Sequence, residues 1–194
     1  GGNLAVAHAE QIIPTINQLA QHFDNIILTQ DWHPENHISF VENHPDHQAY
    51  DMIQLDYGMQ VLWPSHCVQG TQDAEFHPDL DIPTAQMIIR KGFHSQIDSY
   101  SAFMEADHKT TTGLAGYLKE RGIDTVYIVG IATDFCVAWT AMDAAKLGFK
   151  TFVISDATKA IDLQGSLQHA WQEMLAVGVK RVVANQILNV EKPQ

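Results

Sequence analysis

Cys136 lies where an apolar run gives way to an alanine-rich helical pattern. Residues 127–130 are rich in β-branched side chains, and the helical pattern begins near Asp134. The first turn of a helix after a strand directs backbone N–H groups and the positive end of the helix dipole at its side chains. Such surroundings lower a thiol pKa from about 8.5 towards neutrality. The pattern predicts that Cys136 is a thiolate nucleophile, and the alternative is a small buried cysteine under a helix.

A carboxylate and two imidazoles form a second group of residues that could carry out chemistry, in this case metal binding. Asp31 and His33 stand two residues apart at the end of a predicted strand, a spacing that directs both side chains to the same side. His66 follows in a loop that begins at Trp63 and Pro64. Three protein ligands with open positions are typical of a metal that binds substrate or water. The set predicts one divalent ion per chain, with Zn or Fe favoured and Mn compatible.

Strand and helix patterns alternate along the chain, which predicts how these groups are positioned. Strand patterns cover residues 25–29, 85–90, 125–130, 150–155 and 181–184. Helical patterns cover residues 8–22, 111–121, 134–147 and 167–177, and glycine follows the last three. Continuous apolar strands alternating with helices indicate a doubly wound α/β fold with a mostly parallel sheet flanked by helices on both faces. We expect a single domain over residues 1–194, with a metal-binding loop excursion over residues 31–80.

Three chemically important residues follow predicted strands. The ligand crevice of such a sheet lies outside the carboxyl ends of its strands. Asp31, Lys91 and Cys136 each come at or just after such an end, so they are predicted to meet there. A neighbouring cation stabilises a thiolate, although a lysine is more commonly a surface charge. Cys67 lacks a helix start and is interpreted as structural. Solvated loop histidines are expected at His44, His47, His77 and His94.

The composition of the chain argues against some kinds of binding partner and predicts the cellular compartment. Acidic residues outnumber basic ones by 23 to 11, for a net charge of −12. This balance argues against a nucleic-acid backbone or an anionic membrane surface as partner. Apolar runs of about 20 residues, which a membrane span requires, are absent from the sequence, and so is a recognisable signal peptide. Two cysteines in unlike contexts do not form a disulfide framework, so a reducing, cytoplasmic location is predicted.

The start of the chain departs from the expected pattern. It opens on Gly1 and Gly2 with no initiating methionine and no leading strand. A fold of this type normally begins with a strand, which is often central in the sheet. We therefore expect that the first strand lies upstream of residue 1.

Several motifs together resemble one enzyme family. They are Thr29-Gln30-Asp31-Trp32-His33-Pro34, Leu62-Trp63-Pro64-x-His66-Cys67-Val68-Gln69-Gly70-Thr71, Lys91-Gly92 with Asp98-Ser99-Tyr100-Ser101-Ala102-Phe103, and Val129-Gly130-Ile131-Ala132-Thr133-Asp134-x-Cys136-Val137. In this order they resemble the isochorismatase-like cysteine hydrolases, specifically the branch that hydrolyses nicotinamide and pyrazinamide. The resemblance implies a three-layer α/β/α fold and a cytoplasmic amidohydrolase that forms nicotinate and ammonia in NAD salvage. Small-molecule substrates and a homo-oligomer are implied as well.

The resemblance also implies residue roles. Cys136 becomes the nucleophile and Lys91 its triad lysine, while Asp31, His33 and His66 become the metal ligands. The oxyanion hole is expected from the N–H groups of Ala132 and Cys136, beside a cis peptide at Ile131–Ala132. The substrate pocket is expected at Trp63, Tyr100, Ile131 and His37.

One family element has no counterpart in this numbering. The third triad member of the family is an aspartate upstream of the Gly-Gly element, and we expect it before residue 1. Asp134 is interpreted as the cap of its own helix and is not assigned that role. Two alternatives stay open at this point: another amidohydrolase of the same family, or a catalytically silent metal-binding protein.

Overall fold

The structure, a computed structural model of the protein, describes residues 2–189. The strands are β1 (Ile27–Asp31), β2 (Met52–Leu55), β3 (Gly58–Val61), β4 (Met87–Lys91), β5 (Thr125–Ile131), β6 (Lys150–Lys159) and β7 (Lys180–Val182). The α-helices are α1 (Ile13–Ala20), α2 (Leu114–Glu120), α3 (Ala138–Lys146), α4 (Ser166–Ala176) and α5 (Asn185–Leu188). A π-helical turn at Thr133–Val137 joins β5 to α3.

The main strands pair in parallel, as predicted. β1 pairs with β4, and β5, β6 and β7 form a three-stranded sheet in that order. Parallel strands connected by helices confirm the α/β class. Within residues 2–189, β1 pairs only with β4 and β5 only with β6, so the parallel sheet is described in two parts. The first strand that we expect lies outside the described residues.

The structure differs from the predicted elements inside the loop excursion and at strand ends. β2 and β3 form an antiparallel hairpin that the sequence analysis missed, because it is short and exposes Met52 and Met59. β1 and β4 extend to Asp31 and Lys91, so these two residues end the strands rather than follow them. β6 continues to Lys159, beyond the predicted end at residue 155.

Three helices end at the glycines that the sequence indicated. α2, α3 and α4 are followed by Gly122, Gly148 and Gly178, each with positive φ. The residue after each glycine donates its N–H to a carbonyl five residues earlier, as in the 3.0 Å bond from Ile123 to Leu118. Ile123 also packs against the apolar cluster that contains Leu118. This is the Schellman ending, in which a left-handed residue reverses the chain and an apolar contact closes the last turn.

The apolar core lies between the sheet parts and the helices. One cluster packs α2 and α3 around Phe103 and Phe149. A second packs α3 and α4 around Val153 and Met174, and a third packs α1 and α5 around Leu19. These layers hold the carboxyl ends of β1, β4 and β5 in place. None of the helices in residues 2–189 has the length and apolar character needed to cross a membrane.

Candidate active site

The three predicted strand ends meet in space. Asp31 and Lys91 are paired neighbours at the ends of β1 and β4, and the Lys91 ammonium contacts the Asp31 carboxylate. The Lys91 Nζ atom also lies 3.1 Å from the Cys136 Sγ atom and 3.2 Å from the Ser99 carbonyl oxygen. Lys91 is 4% exposed, so its charge acts on these neighbours with little solvent screening.

A cavity of about 110 Å³ opens beside Cys136. Its lining includes Asp31, His33, Trp63, His66, Cys67, Asp98, Ser99, Tyr100, Ile131, Ala132, Phe135 and Ile161, with Leu4 and Val6 from the start of the described chain. The predicted pocket residues Trp63, Tyr100 and Ile131 therefore lie in its wall. His37 does not: it is fully buried, with its ring 4.5 Å from that of His33.

Cys136 lies inside the π-helical turn that precedes α3. The peptide between Ile131 and Ala132 is cis, as the resemblance implied. The expected lowering of the thiol pKa is wrong for the free protein. Burial raises the pKa of Cys136 to about 11, although the Lys91 ammonium opposes that shift. The resting sulfur is therefore a neutral thiol hydrogen-bonded to a cation, and not a free thiolate.

The buried ion pair holds Asp31 ionised. Burial would raise the pKa of the Asp31 carboxyl, but the Lys91 charge outweighs this effect and lowers the pKa to about 2. Conversely, burial would lower the pKa of Lys91, but Asp31 and Cys136 raise it. One Asp31 oxygen contacts Lys91, while the other lies 3.9 Å from the His33 Nε2 atom. Asp31 thus presents one oxygen to Lys91 and the other to His33.

The predicted metal ligands are close enough to share an ion. One donor atom from each of Asp31, His33 and His66 lies within 4.8 Å of the others. The Nδ1 atom of His33 lies 2.8 Å from the Gly92 carbonyl oxygen, and that of His66 lies 2.8 Å from the Pro64 carbonyl oxygen. A carbonyl oxygen can only accept a hydrogen bond, so the Nδ1 atom of each ring must be the donor. Both rings therefore carry hydrogen on Nδ1 and keep the Nε2 lone pair free. Imidazole ligands are commonly oriented in this way, and the residues fit a divalent cation.

Gly92 keeps His33 in this position. Its φ is +69°, and a Cβ atom there would lie 2.2 Å from the His33 ring. A side chain at this position would displace a predicted metal ligand.

A second potential ligand group lies behind the first. Donor atoms of His33, His37 and Asp98 are also within 4.8 Å of one another, and all three residues are buried. The His37 Nδ1 atom lies 2.7 Å from the Ser39 hydroxyl, whereas its Nε2 atom is buried without a hydrogen-bond partner in the described chain. Burial lowers the pKa of His33 to about 4 and also lowers that of His37, so both rings are neutral near pH 7.

The comparisons with known proteins agree with this geometry. Residues 1–185 match the Isochorismatase domain model. A curated nicotinamidase of Acinetobacter baylyi is 75% identical over 97% of this chain and 88% of its own length. The chain belongs to the isochorismatase family.

Solved structures of family members have the same fold. A nicotinamidase/pyrazinamidase structure from Acinetobacter baumanii has a TM-score of 0.95 and 73% identity, covering 96% of this chain and 90% of that one. A pyrazinamidase of Pyrococcus horikoshii in complex with zinc has a TM-score of 0.77 and 37% identity, covering 94% of this chain and 90% of that one. The isochorismatase-like α/β fold is therefore confirmed.

The isochorismatase-family site also has a polar network in its loops that the sequence analysis missed. The Gln60 amide lies 2.7 Å from an Asp98 carboxylate oxygen and 3.1 Å from the Tyr100 hydroxyl. The Trp63 Nε1 atom donates to the same hydroxyl at 2.9 Å, and the Tyr57 hydroxyl donates to the side-chain Oε1 atom of Gln60 at 3.0 Å. Gln60 gave no signal in the sequence, since nothing marks a glutamine in an irregular segment as buried.

The structure corrects the interpretations of His44 and Asp134 and does not contradict those of Cys67 and His94. Cys67 lines the cavity, although burial raises its thiol pKa to about 12. His44 is half-buried, with its Nε2 atom 2.7 Å from the Ile38 carbonyl oxygen. His94 is exposed but pairs at 2.7 Å with the buried carboxylate of Glu105. Asp134 does not cap its own helix, because its carboxylate bonds to a distant loop.

Proposed function

We propose that the protein is a metal-dependent cysteine amidohydrolase that converts nicotinamide to nicotinate and ammonia and also hydrolyses pyrazinamide. The observation that carries the proposal is the 3.1 Å contact between Lys91 and the Cys136 sulfur at a cavity shared with three potential metal ligands. The similarity to curated nicotinamidases supports the substrate. Nicotinate is a precursor for pyridine nucleotides, so the reaction belongs to NAD salvage.

Cys136 attacks the carboxamide carbon in the proposed mechanism. Its thiol is neutral at rest, so a base must accept the proton as the carbon–sulfur bond forms. In the family that the sequence resembles, that base is an aspartate, and it has no counterpart in this numbering. Lys91 stabilises the developing thiolate, and the proton passes to the departing nitrogen when the carbon–nitrogen bond breaks.

The thioester is then hydrolysed. Water adds to its carbonyl carbon, the carbon–sulfur bond breaks, and nicotinate leaves while the thiol regains its proton. In both steps negative charge develops on the substrate oxygen. We propose that the N–H groups of Ala132 and Cys136 donate to this oxygen, because preorganised backbone donors at such a position are an effective form of transition-state stabilisation.

The proposed metal ligands are Asp31, His33 and His66. A divalent cation bound by them would accept the pyridine nitrogen of the substrate and so fix the ring relative to the sulfur, a positioning effect. The donor set suits Zn or Fe, with Mn compatible. Trp63, Tyr100 and Ile131 then provide the walls for a flat ring. The edge-to-face contact of Trp63 with Phe135, at 4.8 Å between centroids, keeps that wall rigid.

A turnover assay tests the activity. Metal-loaded protein should release ammonia and nicotinate from nicotinamide, and pyrazinoate from pyrazinamide. Ammonia from a different amide, with nicotinamide untouched, would favour another amidohydrolase of the family. Metal binding without hydrolysis of any amide would favour the catalytically silent alternative.

We further propose a cytoplasmic location, supported by two cysteines that are both free. A homo-oligomer stays a prediction from the resemblance.

Metal analysis tests the ligand set separately. Elemental analysis should find about one ion per chain, and His66→Ala should lose it because one of three protein ligands is gone. His77→Ala is a matched control, since His77 is an exposed loop histidine outside the cavity lining. Full occupancy in His66→Ala would contradict the coordination set.

A further inference from the structure

Asp134 is a buried carboxylate with an unexpected set of partners. It lies two residues before Cys136 in the same π-helical turn and is 6% exposed. One carboxylate oxygen accepts the N–H of Ile161 at 3.1 Å. The other accepts the N–H of Asp162 at 2.7 Å and the Ser166 hydroxyl at 2.5 Å. Three donors from a segment about 30 residues away thus converge on one charge.

The segment that Asp134 holds contains a single 3₁₀ turn at Leu163–Gly165, and one residue within that turn has non-helical backbone angles. It comprises residues 161–166, between the end of β6 and the start of α4, and we call it the 161–166 segment. Asp162 and Gln164 have φ values of 56° and 52°, a left-handed conformation that ordinary residues adopt only when their surroundings enforce it. Charge-assisted bonds to two backbone N–H groups and one hydroxyl are strong enough to provide that enforcement.

The held segment contributes a wall to the cavity. Ile161 lines the same cavity as Cys136, and its N–H is one of the groups bonded to Asp134. The carboxylate therefore ties the turn that carries the nucleophile to a residue on the cavity wall. Asp134 itself is not part of the cavity lining, so its effect on a substrate must pass through these two neighbours.

We propose that Asp134 is a positioning residue that sets the substrate fit of the cavity by locking Ile161 against the nucleophile turn. The 3.1 Å contact between Lys91 and Cys136 is made directly between these two side chains and involves no atom of the 161–166 segment. Without the Asp134 bonds, a smaller fraction of molecules should have Ile161 in its observed position on the cavity wall. The apparent affinity for substrate should fall in proportion to that fraction. Weaker substrate binding with a nearly unchanged chemical step is the expected signature.

Graded variants test this inference, and the two at Ser166 leave the buried Asp134 carboxylate in place. Ser166→Ala deletes one of the three donors and should raise the KM for nicotinamide several-fold, up to about tenfold, with kcat almost unchanged. Ser166→Thr keeps the hydroxyl and should restore the KM. Asp134→Asn should have a larger effect, because its amide N–H₂ must face at least one of the same donors. If Asp134→Asn does not fold, the two Ser166 variants still decide the question.

Asp107 offers a matched control. Its carboxylate also accepts two backbone N–H groups and one hydroxyl, from Lys109 and Thr110, at 2.8 to 2.9 Å, and it lies outside the cavity lining. Asp107→Asn should therefore lower stability without changing the KM. Stability loss in Ser166→Ala with an unchanged KM, as in Asp107→Asn, would show a purely structural role and overturn the proposal.

A second measurement separates this inference from the proposed function on which it rests. Iodoacetamide labelling of Cys136, followed by peptide mass spectrometry, needs no turnover of nicotinamide. Loosening the Ile161 wall should make labelling faster in Ser166→Ala than in the wild type, and unchanged in Asp107→Asn. Labelling at or below the wild-type rate in Ser166→Ala would refute the positioning role. Absence of nicotinamide turnover in the wild type would refute the proposed function alone.

Discussion

Two halves of the cavity are built in different ways. The strand-end group, Asp31, Lys91 and Cys136, comes from the carboxyl ends of β1, β4 and β5 or the turn just after. The loop network, Gln60, Trp63, Asp98 and Tyr100, comes from the hairpin strand β3 and irregular segments. The strand-end group is joined by contacts between charged or reactive atoms. The loop network is joined by neutral donors and aromatic rings around one buried carboxylate.

The difference separates two tasks. Strand ends in a packed sheet are rigid and lie at fixed spacing, so they can hold a thiol and an ammonium group at reacting distance. Loops can follow the outline of a flat ring and enclose it with aromatic side chains. We therefore expect changes in the strand-end group to affect the chemical step and changes in the loop network to affect binding.

The largest effect should come from the nucleophile. Cys136→Ala should reduce kcat by roughly 10⁴-fold or more, because covalent catalysis is lost altogether. The fold and the binding of a divalent metal at the proposed ligands should persist, since a small side chain is removed from a helical turn. A turnover assay measures the loss of kcat, and elemental analysis measures the retained metal. Cys67→Ala is the matched control in the same cavity and should stay active. A comparable loss of kcat in both variants would contradict the assignment of Cys136, and not Cys67, as the nucleophile.

The strand-end positions were predictable from the sequence because each apolar run shows where a strand ends. Asp31, Lys91 and Cys136 could be placed together on that basis before any coordinates. The pKa of Cys136 could not, because it depends on how deeply the thiol is buried, and a helix start alone suggested the opposite shift.

The loop network had a weaker signal. Trp63 and Tyr100 were placed in the pocket only through family resemblance, and Gln60 not at all. Their contacts join residues about 40 positions apart in segments without periodicity, so no local pattern encodes them. Likewise, the partners of Asp134 lie about 30 residues downstream, and local reasoning suggested a helix cap instead.

The second prediction concerns the cation of the strand-end group. Lys91→Met should slow turnover by about 100-fold, the scale of losing one well-placed charged group in a transition state. A cation favours the thiolate, so its removal raises the pKa of Cys136 further. Labelling of Cys136 by iodoacetamide at neutral pH should become slower, and its pH profile should move upward.

Arg90→Met is the control for this change. Arg90 precedes Lys91 on β4, is exposed, and stacks on the Trp32 ring at 3.8 Å. Losing that charge should leave the labelling profile of Cys136 unchanged. If Lys91→Met behaved like Arg90→Met, Lys91 would not belong to the strand-end group.

The third prediction tests the loop network. Tyr100→Phe removes the hydroxyl that accepts from Trp63 and Gln60. The Gln60 amide keeps its bonds to Asp98 and the Val61 carbonyl oxygen, but the buried Trp63 N–H is left unpaired at a cost of about 1 to 3 kcal/mol. The KM for nicotinamide should rise several-fold while kcat changes little, because the ring wall loosens and Cys136 does not. Steady-state kinetics and urea unfolding measure the two effects.

Tyr117→Phe provides the opposite case in the same protein. The Tyr117 hydroxyl is buried without a hydrogen-bond partner in residues 2–189, so its removal should leave stability unchanged or raise it, with normal kinetics. A kcat loss in Tyr100→Phe as large as in Lys91→Met would end the separation of tasks between the two halves.

The smallest effect concerns the pH dependence of stability near the predicted metal ligands. Burial lowers the pKa of His33 from 6.5 to about 4, so the unfolded chain binds a proton at this residue more readily than the folded protein does. His33 therefore favours folding above about pH 6.5, and this contribution declines as the pH falls towards 4. In chelator-treated protein the loss should reach about 1 kcal/mol at pH 5.5.

Urea unfolding of the wild type and His33→Gln, at several pH values, isolates the His33 contribution because the two proteins share every other titrating group. The difference between their free energies of unfolding should shrink with acidity. A difference independent of pH between 7 and 4.5 would mean that His33 is as well solvated in the folded protein as in the unfolded chain, contrary to its 2% exposure.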